Sequence, residues 1–429
     1  MQIFQYKRSI FAILVGQAVA MAGVACGTRI LTECASTKTY GEAKLILGFI
    51  GFFTMILIQP FNQFVMREYH DAVDMKSTLA FEAFVRPALL MIALITGAMV
   101  VLVLGTYRSI TRTLDWVAII AAGSYLVGEA IWTLEKSLMT TCNRQIMASI
   151  MQGAEQWGLP LFASVGLLFL GNSAGIFIMS QAVLWFGGVV ILAWVGHLVI
   201  FNRSFHYNHE QRTYWLKEAK QFISPMVGLG IFQWIVNLFD RYILAYFHGS
   251  SVVGQYSAIY GLCSFPLVVL GGMAARFLYP IWFRSAAQRK VSLEKKIFTN
   301  MILFTACFAV VAVFAVSLFS QSIANILLAA EYRGGATDLM VWIVAGYGLL
   351  IIAYAFEMRT YARKMTVRIT VSYGLAAIAN VLLNLRWIPQ IGALGAAKAT
   401  FATFAVYLMA MIVLEIGFIK LGKQKFFSL

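Results

Sequence analysis

Charged residues are scarce in this sequence. Asp, Glu, Lys and Arg together make up 12% of its 429 residues, against roughly a quarter in an ordinary soluble domain. Apolar residues make up 61% of the chain, and no water-soluble core could bury so large a share. The composition therefore excludes an ordinary soluble protein and indicates a membrane protein.

Cysteine is scarce as well. The five cysteines are scattered and odd in number, and most lie in apolar segments: Cys26, Cys34, Cys142, Cys263 and Cys307. No spacing among them is typical of a zinc site or of a disulfide framework. We interpret them as packing residues and expect neither a metal nor a cofactor.

What the sequence has in abundance is long apolar runs. A helix needs roughly 20 apolar residues to cross the hydrocarbon layer, whereas barrel strands are short and alternate. About twelve runs are long enough, at 9–30, 42–66, 84–105, 115–134, 147–170, 175–201, 222–246, 254–277, 298–320, 338–357, 366–386 and 391–419. They predict an all-α integral membrane protein with about 12 transmembrane helices.

The positive charge is unevenly distributed along the chain. A net charge of +15 could indicate nucleic-acid binding. With the N-terminus inside, however, about 24 of the 33 basic residues fall on the inner side, which is the positive-inside bias of membrane proteins. The charge therefore predicts a multi-pass topology with both termini cytoplasmic, and we expect no nucleic-acid partner.

The chain divides into two halves around a polar segment. This segment, 202–221, contains Tyr214, Trp215 and Leu216 among lysines, which is typical of an interfacial helix; a solvated linker is the alternative. We predict an N-terminal six-helix bundle at 1–201, a cytoplasmic linker at 202–221 and a C-terminal six-helix bundle at 222–429.

An internal repeat supports the two halves. In each half an arginine, Arg29 or Arg241, precedes a glycine, Gly41 or Gly254, by about a dozen residues, and the glycine opens the next span. Both copies run outward, so the repeats would be parallel. Transporters are commonly built from such repeats.

Polar side chains recur at helical spacing in three predicted spans. The three sets are Gln59, Gln63 and Arg67; Tyr125, Glu129 and Lys136; and Gln233, Asn237 and Arg241. A charged side chain inside the bilayer is costly unless it faces water or a partner. The stripes therefore predict an internal water-filled cavity, with amides bonding across a dry helix contact as the alternative.

Three basic residues, Arg29, Arg241 and Lys398, fall in the outer halves of their spans. Together they would form a positive chamber, and arginine suits a pyrophosphate because its planar fork donates parallel hydrogen bonds. The predicted substrate-binding set is Arg29, Arg241, Lys398, Gln233 and Asn237. Asp240 and Glu129 are candidate charge partners or carriers of a coupling proton or sodium ion; a plain Asp240–Arg241 ion pair is the alternative.

Two segments resemble a known family. WIPQIGALGAAKATFATFAVYLMAMIVL resembles the last loop and span of bacterial flippases for O-antigen and enterobacterial common antigen. DRYILAYFHGSSVVGQYSAIYGL resembles their junction of the seventh and eighth spans, with its acidic–basic pair and later Gly-x-Tyr. Length, span count and the arginine that closes the second span also fit, so the resemblance covers essentially the whole chain.

The resemblance implies a member of the multidrug, oligosaccharidyl-lipid and polysaccharide exporter superfamily. It implies two six-helix bundles around a central cationic cavity, with Arg29, Asp240 and Arg241 at that cavity. The implied activity is movement of undecaprenyl-pyrophosphate-linked oligosaccharide across the bacterial cytoplasmic (inner) membrane for lipopolysaccharide synthesis, and the implied partners are membrane lipids and polysaccharide polymerase machinery. Lys398 departs from the pattern, because relatives often have a small or neutral residue there.

Three other functions compete with this one. A membrane glycan polymerase or ligase would need a large outer loop with acidic or histidine residues, and the outer connections here are short, so we expect no enzyme. A cation-coupled multidrug antiporter would prefer a cavity lined by carboxylates, which Glu129, Glu155 and Asp240 could supply. A peptidoglycan-precursor flippase usually has two further spans.

Overall fold

The computed structural model describes residues 2–111, 114–142, 144–194, 209–287, 291–363 and 365–426. All regular structure in this part of the chain is helical, and ten of its helical segments are long and apolar enough to cross a membrane. The predicted all-α membrane fold is thereby confirmed. The chain forms two compact units, unit 1 (Met1–Ile231) and unit 2 (Phe232–Leu429), and the division falls within one helix.

Unit 1 contains the first seven helices and the start of the eighth. They are α1 (Gln2–Cys34), α2 (Thr37–Phe53), α3 (Gln59–Asp74), α4 (Thr78–Thr111), α5 (Trp116–Thr141), α6 (Gln145–Leu170), α7 (Ala174–Trp194) and α8 (His209–Leu238). Residues 195–201 of the sixth predicted span and 202–208 of the predicted linker lie outside the described residues. The rest of that linker belongs to α8, where Trp215 is buried against Phe81 and Phe84 of α4.

Small residues let α1 approach α6 closely. A Cβ atom on Gly16 would lie 2.6 Å from Cβ of Ser149, and one on Gly27 would lie 2.4 Å from Cγ of Pro160. Both approaches are too short for real carbon atoms, so the contact requires glycine. Such small-residue faces are the usual means of packing helices in lipid, where burial of apolar surface drives no association.

A proline interrupts the helix that holds the first polar stripe. Between α2 and α3 the chain forms a π-helical turn, Thr54–Ile58, in which the N–H of Gln59 donates to the carbonyl of Thr54. Pro60 follows at the start of α3. Because proline has no N–H and its ring clashes with the carbonyl four residues earlier, the wider turn relieves the clash.

Unit 2 contains the remaining helices. They are the end of α8, α9 (Asp240–His248), α10 (Ser250–Ala287), α11 (Val291–Leu327), α12 (Ala336–Ala362) and α13 (Val367–Phe426). Helix α12 packs against α10, α11 and α13, and α9 packs against α13. Unit 2 is thus assembled around α12, and that packing brings polar residues of distant segments together.

Helix α13 is two helical segments joined by a kink. Ile391 (φ −129°) and Gly392 (φ 55°, ψ −133°) have non-helical dihedral angles. Three residues on, a Cβ atom at Gly395 would lie 2.6 Å from the carbonyl oxygen of Trp387. Gly392 therefore allows a sharp turn, and Gly395 allows a close backbone contact.

This kink and the composition of α6 together explain why ten helical segments correspond to about twelve predicted spans. Val367–Glu415 counts as one segment although the kink divides it into the eleventh and twelfth predicted spans. Helix α6 is not among the ten, because Gln145, Gln152, Glu155 and Gln156 lower its hydropathy.

Candidate functional site: polar networks within the spans

A buried carboxylate lies at the start of α9 in unit 2. Asp240 is 1% exposed. Its Oδ2 accepts a hydrogen bond of 2.6 Å from the hydroxyl of Tyr256 on α10, and its Oδ1 accepts one of 2.8 Å from the backbone N–H of Arg241. Two donors thus hold the carboxylate in one orientation. Arg241 makes its hydrogen bond to this group through the backbone, which leaves its guanidinium available elsewhere.

The guanidinium of Arg241 lies over an aromatic ring. Its central carbon is 5.3 Å from the ring centroid of Tyr260 on α10. Its Nε is buried and has no hydrogen-bond partner among the described residues, and no ion pair within this part of the chain involves it. A buried donor without an acceptor is rare in native structures and indicates a missing ligand or water.

A chain of hydrogen bonds extends from this ring across unit 2. The hydroxyls of Tyr260 and Tyr347 lie 2.7 Å apart, and Tyr347 donates to Oδ1 of Asn237 at 3.4 Å. Nδ2 of Asn237 in turn donates to the backbone carbonyl of Gln233 at 2.7 Å. Because Tyr347 donates to Asn237, Tyr260 must donate to Tyr347. Asn237 and Gln233 are therefore joined to the arginine site through two tyrosines.

Lys398 lies on the second segment of α13 and is partly buried. Its Nζ is 5.5 Å from the ring centroid of Trp342 on α12, and the same indole packs edge-on against Phe401. An aromatic face attracts a cation. The sequence placed this lysine in an apolar segment, and the structure provides it with an aromatic neighbour.

A second carboxylate within the spans of unit 2 was missed in the sequence analysis. Oε1 of Glu357 on α12 accepts a hydrogen bond of 2.6 Å from the hydroxyl of Tyr407 on α13. The ring of Tyr407 packs against that of Tyr373 with centroids 4.3 Å apart. A lone glutamate in an apolar run is a signal that could have identified it, because an acidic residue in a span needs a partner.

In unit 1, Glu129 lies on α5 and contacts the π-helical turn. Its Oε2 accepts a hydrogen bond of 3.2 Å from the hydroxyl of Thr54. About two turns further along α5, Nζ of Lys136 lies 2.5 Å from Oε2 of Glu155 on α6. The polar stripe on α5 is therefore satisfied by two different neighbouring elements.

The other polar stripe of unit 1 lies on an exposed face of α3. Gln59, Gln63 and Arg67 are all exposed. Arg67 pairs with the adjacent Glu68 at 3.3 Å and lies over the ring of Phe222. The predicted stripe is thus a continuous polar surface of unit 1.

Arg29 lies on α1 and pairs within its own helix. Its Nη2 is 2.5 Å from Oε1 of Glu33, one turn further on, and both side chains are partly exposed. This ion pair was not predicted from the sequence, although a spacing of four residues is a known signal for an ion pair on a helix. Arg29 belongs to unit 1, whereas Arg241 and Lys398 belong to unit 2.

Comparison with known proteins identifies the family. The profile of a family described as polysaccharide biosynthesis protein matches residues 7–286, about two thirds of the chain. The chain belongs to this family. No curated protein matches the sequence of this polysaccharide biosynthesis family member.

Solved structures share the fold at low sequence identity. A lipid II flippase, MurJ, in an inward closed conformation has a TM-score of 0.71 and 11% identity, covering 94% of this chain and 86% of that one. An inward-facing multidrug resistance transporter of the MATE family has a TM-score of 0.69 and 12% identity, covering 95% of each chain. A superfamily transporter from Pyrococcus furiosus, described as having a binding pocket of reverse polarity, has a TM-score of 0.64 and 11% identity, covering 95% and 94%. These likenesses show that the family member has the helical fold of membrane flippases and transporters.

Proposed function

We propose that this protein is a flippase for undecaprenyl-pyrophosphate-linked oligosaccharide. It moves the glycan from the inner to the outer leaflet of the bacterial cytoplasmic membrane for O-antigen-type polysaccharide synthesis, by alternating access coupled to a proton or sodium ion. Membership of a polysaccharide biosynthesis family supports the substrate class. The multi-pass fold, shared with a lipid II flippase, supports the type of transport.

One observation carries the proposal: Nε of the Arg241 guanidinium is buried and has no hydrogen-bond partner in the described part of the chain, while the neighbouring carboxylate of Asp240 accepts from the backbone N–H of Arg241. An arginine within a span is costly unless a partner satisfies its guanidinium, and an anionic ligand would offset that cost. A pyrophosphate supplies both charge and several acceptor oxygens, which match the guanidinium fork. Tyr260 supports the group from one face.

The remaining residues have supporting roles in the proposal. Asp240, held by Tyr256, fixes the backbone of Arg241 at the start of α9. Within unit 2, Lys398 contributes further positive charge, and Gln233 and Asn237 contribute amides for sugar hydroxyls. Within unit 1, Arg29, which pairs with Glu33, is the candidate contact for a substrate phosphate. Glu129 and Asp240 are the candidate carriers of the coupling ion. Both termini are cytoplasmic, and a polysaccharide polymerase receives the product on the outer side.

The decisive experiment is translocation in reconstituted vesicles. A fluorescent undecaprenyl-pyrophosphate oligosaccharide is incorporated into both leaflets. The fraction of this glycan that a membrane-impermeant reagent can modify is then followed with time. We expect the wild type to move the glycan and Arg241→Ala to reduce its rate by at least tenfold, because a charge-assisted hydrogen bond contributes about 1.5–3 kcal/mol. Arg29→Ala should reduce it as well.

Two further variants separate charge from geometry and from non-specific effects. Arg241→Lys keeps the charge but loses the planar fork, so we expect an intermediate rate. Lys38→Ala is the control and should leave the translocation rate unchanged. The side chain of Lys38 on α2 is 71% exposed, and its Nζ lies 4.0 Å from Oε1 of Glu42. Wild-type rates in both Arg29→Ala and Arg241→Ala would refute the anion-binding role.

A cation-coupled multidrug antiporter is the second candidate. Glu129 and Glu357 are carboxylates within spans, each held by a hydroxyl group, and such groups attract organic cations. The same vesicles loaded with tetraphenylphosphonium decide between the two activities. Export of this cation driven by a proton or sodium gradient, without glycan movement, would establish the antiporter.

A further inference from the structure

A lysine within a span of unit 2 has no counter-ion. Lys398 lies six residues beyond the kink at Gly392, inside the second segment of α13. In the described part of the chain its ammonium group takes part in no ion pair and no hydrogen bond, and it lies 5.5 Å from the ring centroid of Trp342. The three N–H donors of the lysine are thus left without an acceptor from this part of the protein.

The aromatic neighbour does not replace an acceptor. A ring face attracts a cation, but this attraction offsets only part of the cost of a lysine in a span. Lys136, which lies within a span of unit 1, has a carboxylate partner, because its Nζ is 2.5 Å from Oε2 of Glu155. A lysine with a purely structural role in lipid is expected to be paired in this way. Lys398 therefore requires another explanation.

The ammonium group of Lys398 has accessible surface. Its side chain is partly exposed. Among the described residues, the buried side-chain atoms that lack a hydrogen-bond partner include Nε of Arg241 but not Nζ of Lys398. Since Nζ of Lys398 has no partner either, it is not a buried atom. An acceptor on a ligand can therefore reach it.

Lys398 and the arginine site lie at different levels of unit 2. Trp342, which contacts Lys398, is five residues before Tyr347 on α12, so the two backbones are about 7.5 Å apart along the helix axis. The hydroxyl of Tyr347 is hydrogen-bonded to that of Tyr260, whose ring lies against the guanidinium of Arg241. Two cationic groups at two levels suit a ligand with two separate anionic groups.

The two anionic groups fit different parts of a lipid-linked glycan. The phosphates of a pyrophosphate share one oxygen atom, so both remain near Arg241 when it binds either of them. An anion at the level of Lys398 then belongs to the glycan. An ammonium group is a compact charge with rotatable donors and requires no planar fork in its ligand, which suits a carboxylate. A hexuronic acid has a carboxylate where a neutral hexose has a primary alcohol.

We propose that Lys398 selects an acidic glycan, because its ammonium group binds the carboxylate of a hexuronic acid while Arg241 binds the pyrophosphate. This inference rests on the flippase function proposed above and specifies its substrate class. Nζ of Lys398 donates hydrogen bonds to the carboxylate oxygens, and the carboxylate supplies the counter-ion that the described part of the chain lacks. Trp342 holds the ammonium group at the level of the sugar.

Translocation of two matched glycans tests the assignment. The reconstituted vesicles contain a fluorescent undecaprenyl-pyrophosphate disaccharide built either from glucuronic acid or from glucose. We expect the wild type to move the acidic glycan at least about tenfold faster at limiting glycan concentration, because the neutral glycan lacks one charge-assisted hydrogen bond. This comparison needs no variant, so it does not depend on how a substitution affects folding.

Substitutions at position 398 assign the preference to the lysine. Lys398→Met should remove the difference between the two glycans, and Lys398→Arg, which keeps the charge, should retain most of it. Lys398→Glu should invert the selection and move a disaccharide of glucosamine, which carries ammonium groups, faster than the acidic one. Circular dichroism and gel filtration establish the folding of each variant.

Lys44 of unit 1 provides a matched control. It is partly exposed on α2, and its Nζ lies 5.0 Å from the ring centroid of Tyr40. Lys44→Met therefore removes a lysine with an aromatic neighbour of the same kind as that of Lys398. We expect this variant to retain the full preference for the acidic glycan.

The outcomes separate this inference from the function on which it rests. Movement of both glycans at equal rates by the wild type overturns the acidic selection and leaves the flippase function in place. A preference that persists in folded Lys398→Met assigns it to another group and overturns the role of Lys398, as does an equal loss of preference in Lys44→Met. Movement of neither glycan refutes the flippase function and this assignment with it.

Discussion

The hydroxyl of Tyr256 donates a hydrogen bond of 2.6 Å to the buried carboxylate of Asp240. We expect Tyr256→Phe to lower the free energy of unfolding by about 1.5–3 kcal/mol, because the substitution removes a hydrogen bond to a charged group and leaves that acceptor buried. The measurement is thermal unfolding of the purified protein in detergent. Tyr246→Phe, on an 83%-exposed tyrosine of α9, is the control and should be neutral. Equal midpoints for the two variants would contradict the hydrogen bond.

The fold was largely predictable from the sequence, because in lipid each backbone polar group must be paired within its own helix. Run length alone therefore indicates a spanning helix. A break between the eleventh and twelfth spans was predicted, but the positive φ of Gly392 was not, since the apolar runs give no dihedral angles. The sequence placed the limits of the spans only within several residues, and it did not show that Trp215 packs into α4.

The candidate site was predictable only in part. Arg241, Asn237 and Asp240 stand out because polar residues are rare in spans. Their partners Tyr256 and Tyr347 do not, since tyrosine is abundant in membrane proteins and which ring faces which helix is decided by tertiary packing. Tyr256 and Tyr260 are four residues apart on α10 and share one helix face. This spacing is the sequence signal that could have identified them as neighbours of one site. The roles of these residues in transport stay a prediction.

Lys398 should reduce stability while it supports transport. A lysine within a span costs about 2.5–3.5 kcal/mol on insertion scales, whereas its contact with Trp342 contributes about 0.5–2 kcal/mol. The cost is the larger, so Lys398→Met should raise the thermal midpoint and lower the rate of glycan translocation. Trp342→Leu, which removes only the aromatic partner, should lower the midpoint. A lower midpoint in Lys398→Met would mean that the lysine is a structural contact.

Gly392 should resist substitution for a conformational reason. Its dihedral angles, φ 55° and ψ −133°, are unfavourable for residues with a Cβ atom, whereas the added carbon would lie at an ordinary distance of 3.6 Å from the ring of His248. We expect Gly392→Ala to cost about 1–3 kcal/mol of stability. Gly334→Ala is the control, because a Cβ atom at this loop position would have no other atom within 4 Å. Thermal unfolding measures both, and a neutral Gly392→Ala would show that the kink can relax.

A buried ion cluster joins α4 to α5 in unit 1. Arg86 donates to both oxygens of Glu135, at 2.7 and 3.2 Å, and to Glu82 at 2.8 Å. The side chains of Arg86 and Glu135 are 7% and 1% exposed. Glu135→Gln should therefore lower the free energy of unfolding by about 3–5 kcal/mol, since it leaves a buried charge without its main partner. Glu42→Gln, which removes one member of an exposed pair, should change it by less than about 1 kcal/mol.

The same cluster allows a test of whether its charges stabilise the unit. Desolvation of buried ions offsets much of their attraction, so replacing the whole cluster with apolar or neutral groups is often harmless. We expect Glu82→Gln/Arg86→Met/Glu135→Leu to recover most of the stability lost in Glu135→Gln, as measured by the thermal midpoint. A triple variant as unstable as Glu135→Gln would show that α4 and α5 depend on the ion pairs themselves. Recovered stability with reduced glycan translocation would instead mean that the cluster is retained for transport.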